Sequence, residues 1–148
     1  MTEGDLDAVM EIENASFPQP WSRELMAREL SNPISYPFVK TKSLKDGSEV
    51  LVGYLIFWLV YGEAHILNIA VRSDLQGSGI GSRLLSFALD FMSKRGVDLI
   101  SLEVRKSNTT AISIYNRFGF EEVYVRKLYY GDEDAVVMSL NLGVKLEE

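Results

Sequence analysis

Residues 76–81 read Gln76-Gly77-Ser78-Gly79-Ile80-Gly81, three glycines at alternate positions where the chain changes character. Upstream, residues 65–71 (His65-Ile66-Leu67-Asn68-Ile69-Ala70-Val71) have the β-branched, apolar make-up of a strand. Downstream, Ile80, Leu84, Leu85, Ala88, Phe91 and Met92 fall on one stripe of a helix running from about residue 79 to 94. Gly96 stops that helix, and residues 98–104 read as a buried strand. Strand, loop, helix, strand is a right-handed crossover between parallel strands. Glycines directly before a helix let the backbone approach an anion closely. The unpaired N–H groups of the first turn and the helix dipole then favour that anion. Ser78 and Ser82 offer hydroxyl donors and Arg83 a charge. A tight strand-to-helix turn uses the same glycines, so the loop alone names no ligand.

On the N-terminal side, residues 5–15 carry Leu6, Val9, Met10 and Ile12 at helical spacing. Phe17-Pro18-Gln19-Pro20 breaks the helix, and Ser22 caps a second one ending near Ser31. Residues 38–44 and 50–60 form a hairpin about Asp46-Gly47, and Tyr61-Gly62-Glu63 turns the chain into the strand before the loop. On the C-terminal side, residues 108–118 read as a helix with Ala111, Ile114, Tyr115 and Phe118 on one face. Residues 120–130 and 135–140 then predict a closing hairpin, with Gly131-Asp132-Glu133-Asp134 as a solvated turn and Lys145 to Glu148 as a frayed tail. The expected architecture is one domain over residues 1–148, a mixed sheet with one parallel crossover flanked by helices, of α/β or α+β class.

Composition narrows the chemistry. The 148 residues suit one core, and 47% hydrophobic content fits a folded globule. A net charge of -6 argues against a nucleic-acid partner and suits a cationic small molecule or basic peptide. The absence of cysteine excludes disulfides, thiolate metal sites and a cysteine nucleophile, and one histidine excludes a multi-histidine metal site. Residues 50–60, the longest apolar run, are interrupted by Gly53 and too short for a bilayer. The acidic N-terminus lacks the apolar core of a signal peptide, so a cytoplasmic location is expected.

A rival ligand is a dinucleotide, since Gly77-Ser78-Gly79-Ile80-Gly81-Ser82 approximates its fingerprint, with Glu103 near the ribose-binding position. Against it stand Ser82 in place of the third glycine, the preceding hairpins, and one crossover where such a site uses two halves. A P-loop is excluded because no Gly-Lys-Ser/Thr follows.

Gln76-x-x-Gly79-x-Gly81 at a strand-to-helix junction resembles the acyl-CoA motif of the GCN5-related N-acetyltransferase (GNAT) family. Asn68-Ile69-Ala70-Val71, Leu102-Glu103-Val104-Arg105-Lys106-Ser107-Asn108, Ala111-Ile112-x-Ile114-Tyr115-x-x-Phe118-Gly119-Phe120 and Tyr129-Tyr130-Gly131-x-Glu133-Asp134-Ala135 are similar to its ribosomal-protein alanine N-acetyltransferase branch. The resemblance implies acetyl-CoA as co-substrate and a protein N-terminus, by analogy that of ribosomal protein S18, as acceptor. It implies that Ile69, Ala70 and Val71 pair with the pantetheine arm, that Gln76, Gly77, Ser78, Gly79, Ile80, Gly81 and Ser82 hold the pyrophosphate, and that Asn108 touches the cofactor. It further implies Glu103 as general base, Tyr115 as general acid, and Phe17, Pro18, Tyr129 and Tyr130 as clasping the acceptor. The family opens with a strand just before a segment like Thr2-Glu3-Gly4-Asp5-Leu6. With Met1 at that place, the first strand is expected to be missing and the strand around Phe38 to be an exposed edge, liable to pair with another chain.

The residues themselves allow this chemistry. An α-amine with a pKa of about 7.7–8.0 must lose a proton to attack a thioester. Glu103, the only acid in residues 99–104, suits a base. It also suits an exposed strand-end charge paired with Arg105 or a neighbour. Tyr115 can protonate a leaving thiolate, or be a core aromatic. His65 can relay protons to Glu103, or be a half-buried strand residue. Lysine or small-amine transfer, and non-catalytic acyl-CoA binding, remain compatible with the sequence.

Overall fold

The computed structural model describes residues 1–143, so the tail Lys145 to Glu148 lies outside the described residues. A single 3-10 turn, Glu3–Asp5, leads into α1, Leu6–Ser16. Its apolar residues Leu6, Val9 and Ile12 are buried. The prolines Pro18 and Pro20 then prevent its continuation. Ser22 accepts from the Leu25 N–H at 3.2 Å and starts α2, Arg23–Glu29.

Six strands form one sheet: β1 Ser35–Ser43, β2 Glu49–Val60, β3 Glu63–Val71, β4 Leu99–Arg105, β5 Glu121–Arg126 and β6 Ala135–Asn141. Their order is β1-β2-β3-β4-β6-β5. Only β3 and β4 pair in parallel; every other neighbour is antiparallel. That single parallel pair is joined through α3, Ile80–Lys94. A two-halved dinucleotide fold does not have this arrangement, which removes the dinucleotide reading. The last helix is α4, Thr109–Arg117. β1 is one edge of the sheet, and the Met1 amino group donates to its Pro37 carbonyl at 3.0 Å. Pro37 is tolerated because an edge strand leaves one side of its ladder unpaired.

Two apolar layers sandwich the sheet. Leu84, Leu85, Ala88 and Met92 of α3 and Tyr115 of α4 pack against Leu55, Phe57, Ile66, Ile100 and Leu102 on one face. Leu6, Val9, Ile12 and Met26 pack against Tyr54 and Ile56 on the other. β2 is buried on both faces, which is why its sequence is continuously apolar and does not alternate.

The feature that makes the site is a defect in β3. Its parallel pairing with β4 ends at Ile66 opposite Leu102. At the same point the β2–β3 register slips between Ile56 and Phe57, leaving Leu67 as an extra residue. Such a bulge bends its strand. Beyond it β3 runs on to Val71 with no partner on the β4 side, while β4 stays paired to β6 as far as Arg105 opposite Ala135. The sheet therefore opens into a cleft between its two central strands.

One expected strand is too long. Residues 120–130 form β5 only as far as Arg126. Leu128 adopts φ +49, and its N–H is held by Asp134 Oδ1 at 2.8 Å, so residues 127–134 fold into a structured loop.

Candidate active site

A cavity of about 430 Å³ fills the cleft. Ile69, Ala70 and Val71 of β3 form one wall, and Asn108, Ala111, Ile114 and Tyr115 the other. Gln76, Gly77, Ile80 and Gly81 form the floor at the start of α3, and Phe17 and Pro18 close it from the α1–α2 loop. Gly79 is the N-cap of α3 at φ +90, and Gly77 sits at φ +84. A Cβ built on either meets nothing within 4 Å, so both face open space before the helix N-terminus. That is the cradle an anion needs. An elongated, polyanionic acyl donor fits these groups: unpaired strand backbone for an amide-bearing arm, and glycine N–H groups for phosphates.

Not every expected loop residue faces the cavity. Ser78, Gly79 and Ser82 are absent from its wall. The Ser78 hydroxyl donates to the Leu75 carbonyl within the turn, and Ser82 Oγ accepts from Arg117 at 3.4 Å. Asn108 lines the cavity while its Oδ1 caps α4 by accepting from the Ala111 N–H at 3.2 Å.

Tyr115 is both a core aromatic and a cavity residue. It is buried against Phe120, with ring centroids 5.6 Å apart. Burial, assisted by Tyr130, raises its phenol well above the usual tyrosine value, so it stays protonated. Glu103 is not on the cavity wall. Its neighbours Leu102 and Val104 face the layer containing Tyr115, so strand alternation puts Glu103 on the opposite face. There it hydrogen-bonds His65 Nε2 through Oε1 at 2.7 Å. The register sets Ser101 opposite His65, so Glu103 is two residues along on the same face. Glu103 thus pairs with histidine and not with Arg105. The His65 side chain remains 34% exposed and the Glu103 side chain 16%, so the pair reaches solvent from the half-buried sheet face.

Arg105 has another role. Its guanidinium binds Asp132 at 3.0 Å and Glu133 at 3.2 Å and stacks 4.3 Å from the Tyr130 ring centroid. Glu133 also accepts from the Ser107 N–H at 2.6 Å. The turn at residues 131–134 is solvated at Gly131 and Asp132, as expected, yet it is tied down: Asp132 and Glu133 bind the end of β4, and Asp134 holds the Leu128 N–H. Hydrogen bonding from Ser107, with Arg105 beside it, holds the Glu133 carboxyl below the usual range. The clamp also fixes Tyr130, which like Tyr129 is not on the cavity wall. Its phenol is pushed up to about 12, chiefly by burial, with the neighbouring Tyr129 and Glu103 charges adding to it.

The Acetyltransferase (GNAT) family matches residues 6–120. The chain belongs to it. It is 35% identical over 144 residues to the [ribosomal protein bS18]-alanine N-acetyltransferase of Escherichia coli strain K12, covering 95% of this chain and 93% of that protein. A Bacillus subtilis protein provisionally named for the same activity is 38% identical over 142 residues, covering 94% and 91%. The crystal structure of the Escherichia coli ribosomal-protein-S18-alanine N-acetyltransferase superposes with a TM-score of 0.84 at 34% identity, covering 100% of this chain and 94% of that one. As a GNAT acetyltransferase, the chain has the mixed sheet flanked by helices that its sequence predicts. No helix among the described residues is long and apolar enough to cross a membrane.

Sequence reasoning missed Glu13. This GNAT chain buries it to 1% exposure, where it accepts from Asn68 Nδ2 at 2.8 Å, from the Trp21 N–H at 2.9 Å and from the Tyr54 hydroxyl. The signal was available: Glu13 directly follows Ile12, four residues after the buried Val9, and so lies on the apolar stripe of α1. An acid on a core-facing stripe requires partners.

Proposed function

We propose that this acetyltransferase moves the acetyl group of acetyl-CoA to the N-terminal α-amine of a protein, with the alanine terminus of ribosomal protein bS18 as the leading acceptor. The observation that carries the reading is the cleft where β3 leaves β4, with a glycine cradle at one end and chemically distinct groups on its two sides. The near-full-length likeness to the bS18-alanine enzymes supports the choice of acceptor.

Acetyl-CoA lies along the cleft, its pyrophosphate on residues 76–82 and its arm against Ile69, Ala70 and Val71. Asn108 contacts it near the reacting end. The acceptor enters between Phe17 and Pro18 on one side and Tyr129 and Tyr130 on the other. The amine nitrogen attacks the thioester carbonyl carbon, forming C–N and breaking C–S. Glu103 takes the ammonium proton, directly or through water, with His65 hydrogen-bonded behind it. Tyr115, kept protonated by its burial, gives a proton to the departing thiolate. Base and acid sit on opposite faces of the sheet, so the amine and the thioester meet through the gap between the strands. The whole chain acts as one catalytic domain.

Turnover of acetyl-CoA with a basic peptide beginning in alanine, compared with the same peptide blocked at its terminus, tests this. Acetylation of the open peptide only is expected. Equal acetylation of both would assign the chain to lysine transfer, and no turnover with either would reject the acceptor class.

A further inference from the structure

Four residues with no part in the transfer chemistry meet at one point behind the acceptor side of the cleft. Glu13 of α1 is 1% exposed. Its Oε1 accepts from Asn68 Nδ2 at 2.8 Å and from the Tyr54 hydroxyl, and its Oε2 accepts from the Trp21 backbone N–H at 2.9 Å. Burying a carboxylate is costly unless it is well hydrogen-bonded, and three donors on two oxygens meet that requirement.

The partners explain why the carboxylate is there. Asn68 follows Leu67, the extra residue of the bulge, and directly precedes Ile69, Ala70 and Val71 of the cavity wall. Tyr54 belongs to β2, opposite Ala70. Trp21 is the far end of the loop that begins where α1 stops, and Phe17 and Pro18 of that loop close the cavity. Among the described residues no backbone carbonyl accepts from the Trp21 N–H. One carboxylate therefore ties both ends of the α1–α2 loop to the bulged segment of β3.

We infer that Glu13 is a positioning residue that sets the spacing between the Phe17–Pro18 wall and β3 beyond the bulge, and thereby governs acceptor binding. The inference rests on the acceptor reading of that wall given above. The cradle at residues 76–81 is held by other contacts, so the pyrophosphate end of the cleft does not depend on Glu13.

The test separates acceptor from cofactor. Glu13→Leu removes both acceptor oxygens. It raises the KM for the alanine-starting peptide roughly tenfold or more, in keeping with the sensitivity of reactions to small misplacements. The dissociation constant for CoA stays within about twofold, since phosphate binding uses the separate helix N-terminus. Glu13→Gln keeps one oxygen for the Trp21 N–H, and the Asn68 amide can turn to accept from the new NH₂, so this variant recovers most of the peptide KM. Met26→Ala serves as the stability control, because Met26 is buried in the same layer without a polar contact. An acceptor KM unchanged in Glu13→Leu overturns the inference. So does an equal rise in Met26→Ala at a matched loss of Tm, which would reduce Glu13 to a generic core residue. Amide hydrogen exchange on the unmodified protein decides even if Glu13→Leu does not fold. The Trp21 N–H exchanges far more slowly than that of exposed Gln19, and equal rates would sink the clamp. Failure of the wild type to acetylate any peptide would reject the acceptor reading, while the Trp21 exchange would still judge the clamp.

Discussion

At the scale of single residues, what matters is which proton sits where. The Glu103–His65 hydrogen bond of 2.7 Å leaves the carboxyl half-buried on one face of the sheet, and the Tyr115 phenol stays protonated on the other. Glu103→Gln keeps the shape and removes the base. It is expected to lower kcat/KM by about 10²-fold or more near neutral pH. The pH–rate profile checks it: an acid limb as in wild type would remove Glu103 from the proton path. Tyr115→Phe removes the donor while filling the same core volume, so kcat falls by about 10²-fold with CoA affinity retained. Normal turnover in that variant would leave Tyr115 a packing residue. Both residues are singled out only through the run of similar segments, since an acid in a strand and a tyrosine on an apolar helix face are ordinary, and these two variants test the roles proposed for them. The partner of Glu103 was not legible as a choice between His65 and Arg105. Strand parity leaves both open, since Arg105 is on the same face of β4 as Glu103; the tertiary contacts settle it, because Arg105 is committed to Asp132 and Glu133 while His65 reaches Glu103.

At the scale of elements, the crossover from β3 through α3 to β4 sets the cleft, and two glycines show how tightly. A Cβ on Gly53 of β2 would stand 3.0 Å from the Ala70 carbonyl oxygen and 3.1 Å from Leu84 Cδ1. Backbone on one side and a core leucine on the other leave little room, so Gly53→Ala is expected to destabilise by about 1–3 kcal/mol. The urea midpoint measures this, and no change would mean that the β2–β3–α3 packing yields freely. Gly79 differs: space is open around it, but its φ of +90 is left-handed. Gly79→Ala costs about 1–2 kcal/mol of backbone strain. That strain falls on the N-cap that aims the first-turn N–H groups of α3, and titration with CoA should find several-fold weaker binding. The end of β5 at Arg126 and the anchoring of the turn at residues 131–134 are not legible, because the sequence there carries turn residues and acids without revealing their partners. Those partners, Arg105, Ser107 and Leu128, lie up to 28 residues away in the chain.

For the whole molecule, the buried phenols link stability to pH. Tyr115 and Tyr130 both titrate above the ordinary 10.0, Tyr130 at about 12. The folded chain therefore binds these protons more tightly than the unfolded chain. Their contribution is complete below about pH 10 and is lost as pH rises through the folded values. The urea midpoint should fall steadily above about pH 10, and less steeply in Tyr115→Phe, which has one raised phenol fewer. A midpoint independent of pH in that range would contradict the burial of both rings.

The sequence alone determined the order of elements, the single parallel crossover and the glycine cradle, because these depend on local periodicity and on residues a few positions apart. Helical stripes, turn glycines and the Ser22 cap are properties of neighbouring residues. The tertiary structure decided where the strands part, which face each charged group takes and what holds the loops. Leu67 became a bulge only through its failure to pair with both neighbouring strands. Glu13 gained a purpose only when Tyr54 and Asn68, 41 and 55 residues away, folded onto it. A buried carboxylate is stable in the core only where such distant donors converge, and that convergence is a property of the packed chain.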